Sequence, residues 1–374
     1  MITSIGLSNF KCFDTLELPL GPLTLLSGIN GMGKSSILQS LLLLRQSFQR
    51  DLLRGGKLAL NGELVSIGTA QDALYEEAEE ESIGFQLAWR SGARARWTFR
   101  YDRGAELISA SDYDAPAPVF DEALFGDRCQ YLCAERLGPR IALPVSDLAV
   151  VEHRQLGTRG DFTVHFLSRY GHEPVACAPL RHPDATSPAL VDQVEAWLGT
   201  ISPGTRIGLT THDAMDLVQI AFSFASGAGM SRSYRPTNVG FGISYTLPVL
   251  VAVLAAAPGS LVLLENPEAH LHPRGQARMG EFLALAAAAG VQIVVETHSD
   301  HVLNGIRLAV NGGKLPSASA CIHFFSRIEA EGRVRRQVIS PRVDRRGRIE
   351  PWPQDFFDEW DKSLEALLSE PGDS

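Results

Sequence analysis

Apolar positions recur with different periods along the chain, and the changes of period mark out its elements. Residues 1–50 predict strand, strand, strand, loop and helix. The third strand is the short apolar run Pro22-Leu23-Thr24-Leu25-Leu26-Ser27, and the helix formers from Ser36 to Arg45 follow it. Ile83 to Trp89 and Trp97 to Tyr101 alternate with period two, as half-buried antiparallel strands do. An amphipathic helix is predicted from about Leu190 to Leu198. From about residue 240 the order is helix (to Ala257), strand (261–265), helix (about 274–289), strand (291–296) and helix (about 299–311). Such alternation is what a parallel α/β sheet produces. The tail predicts strands near 320–327 and 334–340, then a helix starting near Asp355. Asp112 to Pro118 and Pro183 to Pro188 read as linkers. There is no internal repeat and no heptad run.

Composition narrows the class. The 374 residues have room for one large domain or two modest ones, and 45% hydrophobic with 21% charged residues is ordinary for a globular protein. The longest apolar stretch, Thr246 to Pro258, falls short of the roughly 20 residues a membrane-spanning helix needs. The start, Met1 to Ile5, lacks the basic and apolar regions of a signal peptide. Five scattered cysteines favour reduced thiols, and with the preceding point predict a cytoplasmic protein without a membrane partner. A net charge of −9 argues against a bulk nucleic-acid coater while leaving room for a local basic patch. Arg90, Arg94, Arg96 and Arg100 all fall at even positions beside Trp97 and Tyr101 at odd ones, the pattern of a solvated strand face. Glu76 to Glu81 reads as a solvated acidic loop.

The chemistry begins at Gly28-Ile29-Asn30-Gly31-Met32-Gly33-Lys34-Ser35, a complete G-x-x-x-x-G-K-S phosphate-binding loop between a predicted strand and a predicted helix. Its backbone amides suit the α- and β-phosphates, Lys34 the β- and γ-phosphates, and Ser35 a Mg²⁺ ion. Asn30, Gly31, Gly33, Lys34, Ser35 and Ser36 are therefore the expected ATP cradle. Ser260 to Leu264 is an apolar strand that ends in Glu265, the expected Walker B acid on the metal. The long gap from Lys34 to Glu265 suits an ATPase core with a large insertion. Gly240, Gly242 and Ser244 stand at the start of an apolar helix, where they serve either as a cap or as a second anion site. The strand at 291–296 leads to His298, placed to sense a γ-phosphate. Pro273 and a long intervening segment argue against His270, His272, His298 and His301 forming one metal cluster.

These residues resemble the RecF/OLD-type branch of ABC ATPases, which includes SMC-like ATPases. The matching stretches are Asn9 to Phe13, the phosphate loop, Asn61 to Leu64, Asn238 to Ser244, Glu265 to Pro273 and Glu296 to Arg307. Trp352 to Glu359 resembles a C-terminal domain of unknown function found on one subgroup. The resemblance implies an α/β P-loop fold of ABC/SMC-head type with a mixed sheet, an antiparallel β subdomain and a partly helical central insertion. It divides the chain into an N-terminal lobe (1–110), an insertion (111–230), a C-terminal lobe (231–315) and terminal strands and helix (316–374). It implies ATP sandwiched in a homodimer or higher even oligomer, with Gly240, Gly242 and Ser244 across the interface. It makes Gln71 a further metal contact and His298 the switch histidine. Most such ATPases place a glutamate after the Walker B acid. Here that position is Asn266, whose amide accepts no proton, so either Glu268 substitutes as the base or hydrolysis is slow and ATP serves mainly as a dimerising ligand. The roughly 60 residues after the last core helix are expected to be too few for the nuclease domain of OLD proteins, and no SMC-type coiled coil is expected between the motifs. The resemblance thus implies an ATPase acting on a separately encoded effector such as a nuclease, in antiviral defence or DNA repair. Nucleic acid is a further partner on the RecF-like alternative, and a scaffold that only clamps ATP is the other.

Overall fold

The computed structural model describes residues 1–227, 229–330 and 333–368. Strands β1 (Ile2–Phe10), β2 (Phe13–Pro19) and β3 (Leu23–Gly28) lead through the glycine loop into α1 (Lys34–Gln49), the order the hydrophobic pattern predicts. Then come β4 (Lys57–Ala59), the one-turn helix α2 (Ala70–Ala73), β5 (Ser82–Trp89), β6 (Arg94–Arg100) and β7 (Leu107–Asp114). Six strands form an antiparallel sheet in the order β2-β1-β5-β6-β7-β4. Period-two alternation buries one face, with Ile5, Leu7, Phe85, Leu87, Trp97 and Phe99 inside. The arginines at even positions of β6 stay in water, where Arg96 donates to Asp112 at 2.6 Å. That pairing helps carry β7 on to Asp114, into the stretch that composition predicts as a linker.

The middle of the chain forms β8 (Cys129–Leu132), β9 (Leu143–Pro144), α3 (Thr163–Tyr170), α4 (Leu190–Ile201), the hairpin β10 (Thr205–His212) and β11 (Leu217–Ser226), and β12 (Gly229–Met230). Then come α5 (Phe241–Leu254), β13 (Leu261–Glu265), α6 (Pro273–Ala288), β14 (Gln292–Glu296) and α7 (Asp300–Asn311). The final elements are β15 (Ala320–Ala330), β16 (Arg333–Ile339), β17 (Arg342–Val343), β18 (Ile349–Glu350) and α8 (Glu359–Leu368).

The second six-stranded sheet runs β16-β15-β3-β14-β13-β8. Its neighbours are parallel except for β16, which pairs antiparallel to β15, so the sheet is mixed. Its centre consists of continuous apolar runs because both faces are covered. Leu261 and Leu263 of β13 point into a core shared with α1 and the antiparallel sheet. Val262 and Leu264 point into a core shared with α4, α5, α6 and α7.

Two features modify the segmentation expected from sequence. The 111–230 segment is not wholly an insertion, because its β8 pairs parallel with β13 inside the core sheet. Four residues, Cys129-Gln130-Tyr131-Leu132, are too few to announce a strand by period. The tail likewise supplies β15 directly beside β3, so close that a Cβ at Gly28 would lie 2.1 Å from the Phe325 carbonyl oxygen.

Candidate functional site

The phosphate loop leaves β3 at the carboxyl edge of the parallel strands, where open α/β sheets place their ligands. Gly31 (φ +76°) and Gly33 (φ +99°) hold backbone conformations that favour glycine. A Cβ at Gly33 would meet the Cys12 sulfur at 2.4 Å, so the β1–β2 turn closes over the loop. A Cβ at Gly31 would meet nothing within 4 Å, so that position faces open space. Among the described residues the amides of Gly31, Met32 and Gly33 donate to no protein acceptor. Unpaired amides at the start of a sixteen-residue helix fit a polyphosphate. Lys34 is buried and its ammonium donates to the carbonyls of Gly28 and Ile29, at 2.9 Å each. Desolvation lowers its pKa, opposed by the nearby Glu296 carboxylate.

The loop opens on a cleft of about 1650 Å³ lined by Asn30, Gly31, Gly33, Lys34, Ser35 and Ser36. Gln71 lines the same cleft from α2, whose cap is formed by Thr69 and Asp72. Its side-chain oxygen accepts from Arg103 at 3.1 Å. Asn61 braces the approach to α2 by exchanging two 2.8 Å hydrogen bonds with the backbone of Gly68. The acidic loop residues Glu76, Glu77, Glu79 and Glu80 form part of the rim. Arg336 of β16 also lines the cleft and donates to the Cys12 carbonyl.

The two acids at the strand ends behave differently. Glu265 and Glu296 are cross-strand partners on β13 and β14. Sequence reading assigns Glu265 to the metal, yet both of its carboxylate oxygens face β8. One accepts from the Tyr131 hydroxyl at 2.9 Å and the other from the Ala134 amide at 3.1 Å. The hydroxyl of Ser35 instead donates to Glu296 at 2.9 Å. Glu296 is 7% exposed, and its second oxygen has no partner. Burial pushes its carboxyl up to about 7, the Ser35 hydrogen bond opposes this, and the neighbouring Glu265 adds to it.

The turn after β13 is held from within. Asn266 takes a left-handed backbone (φ +43°), and the Arg136 guanidinium donates to the carbonyls of Cys133, Glu265 and Asn266. Glu268 is buried, accepts from the His298 amide at 3.2 Å and leaves its other oxygen without a partner. Burial raises its pKa. His298 lies at the solvent edge, and partial burial followed by the Lys34 charge holds its imidazole below the usual histidine range. Glu268 and His298 therefore meet at the carboxyl edge of β13 and β14.

Gly240, Gly242 and Ser244 do not line the phosphate-loop cleft. Gly240 caps α5, and a Cβ at Gly242 would approach the His270 carbonyl oxygen to 2.6 Å. Phe241 between them is 55% exposed, its ring 5.6 Å from that of His270.

Sequence reasoning missed Glu296, Tyr131, Arg136 and Arg336 as parts of the site. Glu296 carried a signal, because Leu-Val-Leu-Leu-Glu and Gln-Ile-Val-Val-Glu are two apolar strands with the same acidic ending. The other three had none, because their roles depend on distant segments meeting.

Comparison with known proteins agrees with this geometry. Residues 1–88 match the family profile described as "AAA ATPase domain". Residues 223–304 match "AAA domain, putative AbiEii toxin, Type IV TA system", and residues 315–367 match "Protein of unknown function (DUF3696)". The chain is 25% identical over 328 residues to a protein named OLD nuclease from Thermus scotoductus. That alignment covers 80% of this chain but 59% of the relative, so the chain spans little more than half of that protein's length. Its fold is similar to that of an SMC head crystallised with the C-winged helix domain of ScpA. There the TM-score is 0.51 at 14% identity, covering 91% of this chain and 97% of the other. No helix among the described residues is long and apolar enough to cross a membrane.

Proposed function

We propose that this SMC-like, OLD-type ABC ATPase, with its DUF3696 segment, binds ATP and Mg²⁺, dimerises around the nucleotide and hydrolyses it slowly. Its product is a conformational signal to a separately encoded effector, such as a nuclease, in cytoplasmic antiviral defence or DNA repair. The observation that carries the reading is the phosphate-loop cleft, with unpaired amides, a buried lysine and Ser35 directed at a buried carboxylate.

Each residue has a definable task. The loop amides bind the phosphate oxygens, and Lys34 exchanges its two loop carbonyls for the β- and γ-phosphates. Mg²⁺, when bound, neutralises charge between those phosphates, and Ser35 with a strand-end carboxylate and Gln71 are the residues that would hold it. Glu268 orients the attacking water and accepts its proton, and His298 senses the γ-phosphate beside Lys34. Asn266 cannot take over the base role, and loss of a general base costs about 10²–10⁴ in rate. Gly240, Gly242 and Ser244 present the amino end of α5 to nucleotide held by a second copy.

Asn266 also favours a second reading, in which the protein clamps ATP as a scaffold with negligible turnover. Its amide accepts no proton, so it cannot serve as the base. Phosphate release and sedimentation by the purified chain, with and without DNA, separate the readings. Slow turnover by an ATP-dependent dimer supports the first and a dimer without turnover the second. Turnover that requires DNA favours a RecF-like repair role. A chain that binds no ATP overturns all three.

A further inference from the structure

We infer that the carboxylate holding Mg²⁺ beside Ser35 is Glu296 of the neighbouring strand, and that Glu265 is a positioning residue. The inference rests on the ATP-binding reading above and names which acid serves it.

Strand order supplies the first reason. β14 lies between β3 and β13, so the end of β14 is one strand from the phosphate loop and the end of β13 is two away. Glu296 is paired in register with Leu26 of β3, two residues before the loop begins. Glu265 is displaced by a further strand spacing, roughly 4.8 Å.

Occupancy supplies the second. Mg²⁺ takes oxygen ligands with free lone pairs and binds through one or two carboxylates plus phosphates and waters. Both Glu265 oxygens are already hydrogen-bonded, to Tyr131 and Ala134, and its main-chain carbonyl is held by Arg136. Turning it toward the loop would break the Tyr131 and Ala134 contacts and strand a buried tyrosine hydroxyl. Glu296 makes its one hydrogen bond to Ser35, the hydroxyl that a P-loop offers to the metal, and keeps a buried oxygen with no partner. An orphaned buried carboxylate oxygen is costly, and a bound cation would satisfy it.

The residue types fit the division. Tyr131 and Ala134 tie Glu265 to β8 and the loop that follows it, which makes Glu265 a brace between two strand ends. Asn266 then stands beside a brace, and the metal acid has moved one strand toward the phosphates.

The test measures binding of a fluorescent ATP analogue with EDTA and with Mg²⁺, in the parent chain and in E296Q, E296D, E265Q and K34A. Mg²⁺ should tighten binding by the parent. E296Q should reduce that Mg²⁺-dependent gain, read as the ratio of the EDTA and Mg²⁺ affinities of the same variant, at least about tenfold. E296D, which keeps the charge, should recover part of the gain. E265Q should reduce the gain less than E296Q does, and should instead lower the melting temperature because the Tyr131 and Ala134 contacts weaken. A larger loss of the Mg²⁺-dependent gain in E265Q than in E296Q overturns the assignment, as does an undiminished gain in E296Q. K34A keeps the two levels distinct. If it binds ATP in EDTA as tightly as the parent, the phosphate-loop reading fails, whatever the two acids do.

Discussion

Two helices of this molecule begin with glycine-rich segments of similar look, and they differ in what surrounds them. At α1, Gly31 and Gly33 adopt positive φ, the β1–β2 turn closes over the loop, and Lys34, Ser35 and Glu296 converge from different elements. At α5, Gly240 has an ordinary φ of −61°, no side chain caps the helix, and Phe241 stands out into solvent. The first end has its counter-groups within one chain. The second has a helix dipole, close packing against His270 and an exposed aromatic ring, and its Ser244 lines a separate small pocket with Arg140. Glycine content alone does not distinguish a complete anion site from half of one. What distinguishes them is whether a cation, a hydroxyl and a carboxylate converge on free loop amides, as at α1.

The sharpest way to break this contrast is Lys34→Ala. It removes the side-chain cation of the α1 site and should weaken ATP binding by about 100-fold or more, roughly 2.7 kcal/mol, in a calorimetric titration. Retained affinity would mean that the α1 end is no more complete than the α5 end.

Next in size is Phe241→Glu. The residue is exposed, so thermal stability should change by no more than about 1 kcal/mol. If α5 is half of a site completed by a second copy, ATP-dependent dimerisation should weaken at least about tenfold, as for loss of an aromatic anchor. Sedimentation velocity with ATP and Mg²⁺ reads this directly. An unchanged dimer would remove α5 from the interface.

Hydrolysis sharpens the α1 end. Glu268→Gln should lower turnover about tenfold or more with binding intact, and Asn266→Ala should lower it less. Parent-like turnover in Glu268→Gln would shift activation of the water to the phosphate itself, to His298 or to a partner chain.

The smallest effect is electrostatic. An unfolded Glu296 carboxyl ionises near 4.5 and the folded one near 7. The folded state therefore holds the extra proton between those values, and its stability falls as pH rises through 7. Without metal or nucleotide, the parent should lose about 1 kcal/mol more than Glu296→Gln between pH 6 and pH 8, read from urea midpoints. Equal pH dependence in the two proteins would show that Glu296 is not buried as a carboxyl beside Ser35.

Much of this was legible in local pattern. The strand–loop–helix unit at 23–49 was, because apolar run, glycine loop and helix formers are contiguous. So were α6, β14 and α7, where period changes cleanly from helix to strand and back. The β10–β11 hairpin was not read, since residues 205–212 have only two buried or half-buried hydrophobic side chains, Ile207 and Leu209, among polar ones. β8 escaped because four residues carry no period. Tyr131 and Arg136 looked like ordinary loop-region side chains until β8 was placed beside β13.

The sequence by itself determined that a nucleotide-binding loop exists, where its strand and helix lie, and that two apolar strands downstream each end in glutamate. Those properties are local, set by side-chain size, glycine freedom and periodicity over a dozen residues. Only the tertiary structure decided which glutamate faces the loop. That depends on β14 lying between β3 and β13, and on β8 arriving from more than a hundred residues away to engage Glu265. Strand order arises from how whole elements pack into two cores, and no short stretch of sequence contains it.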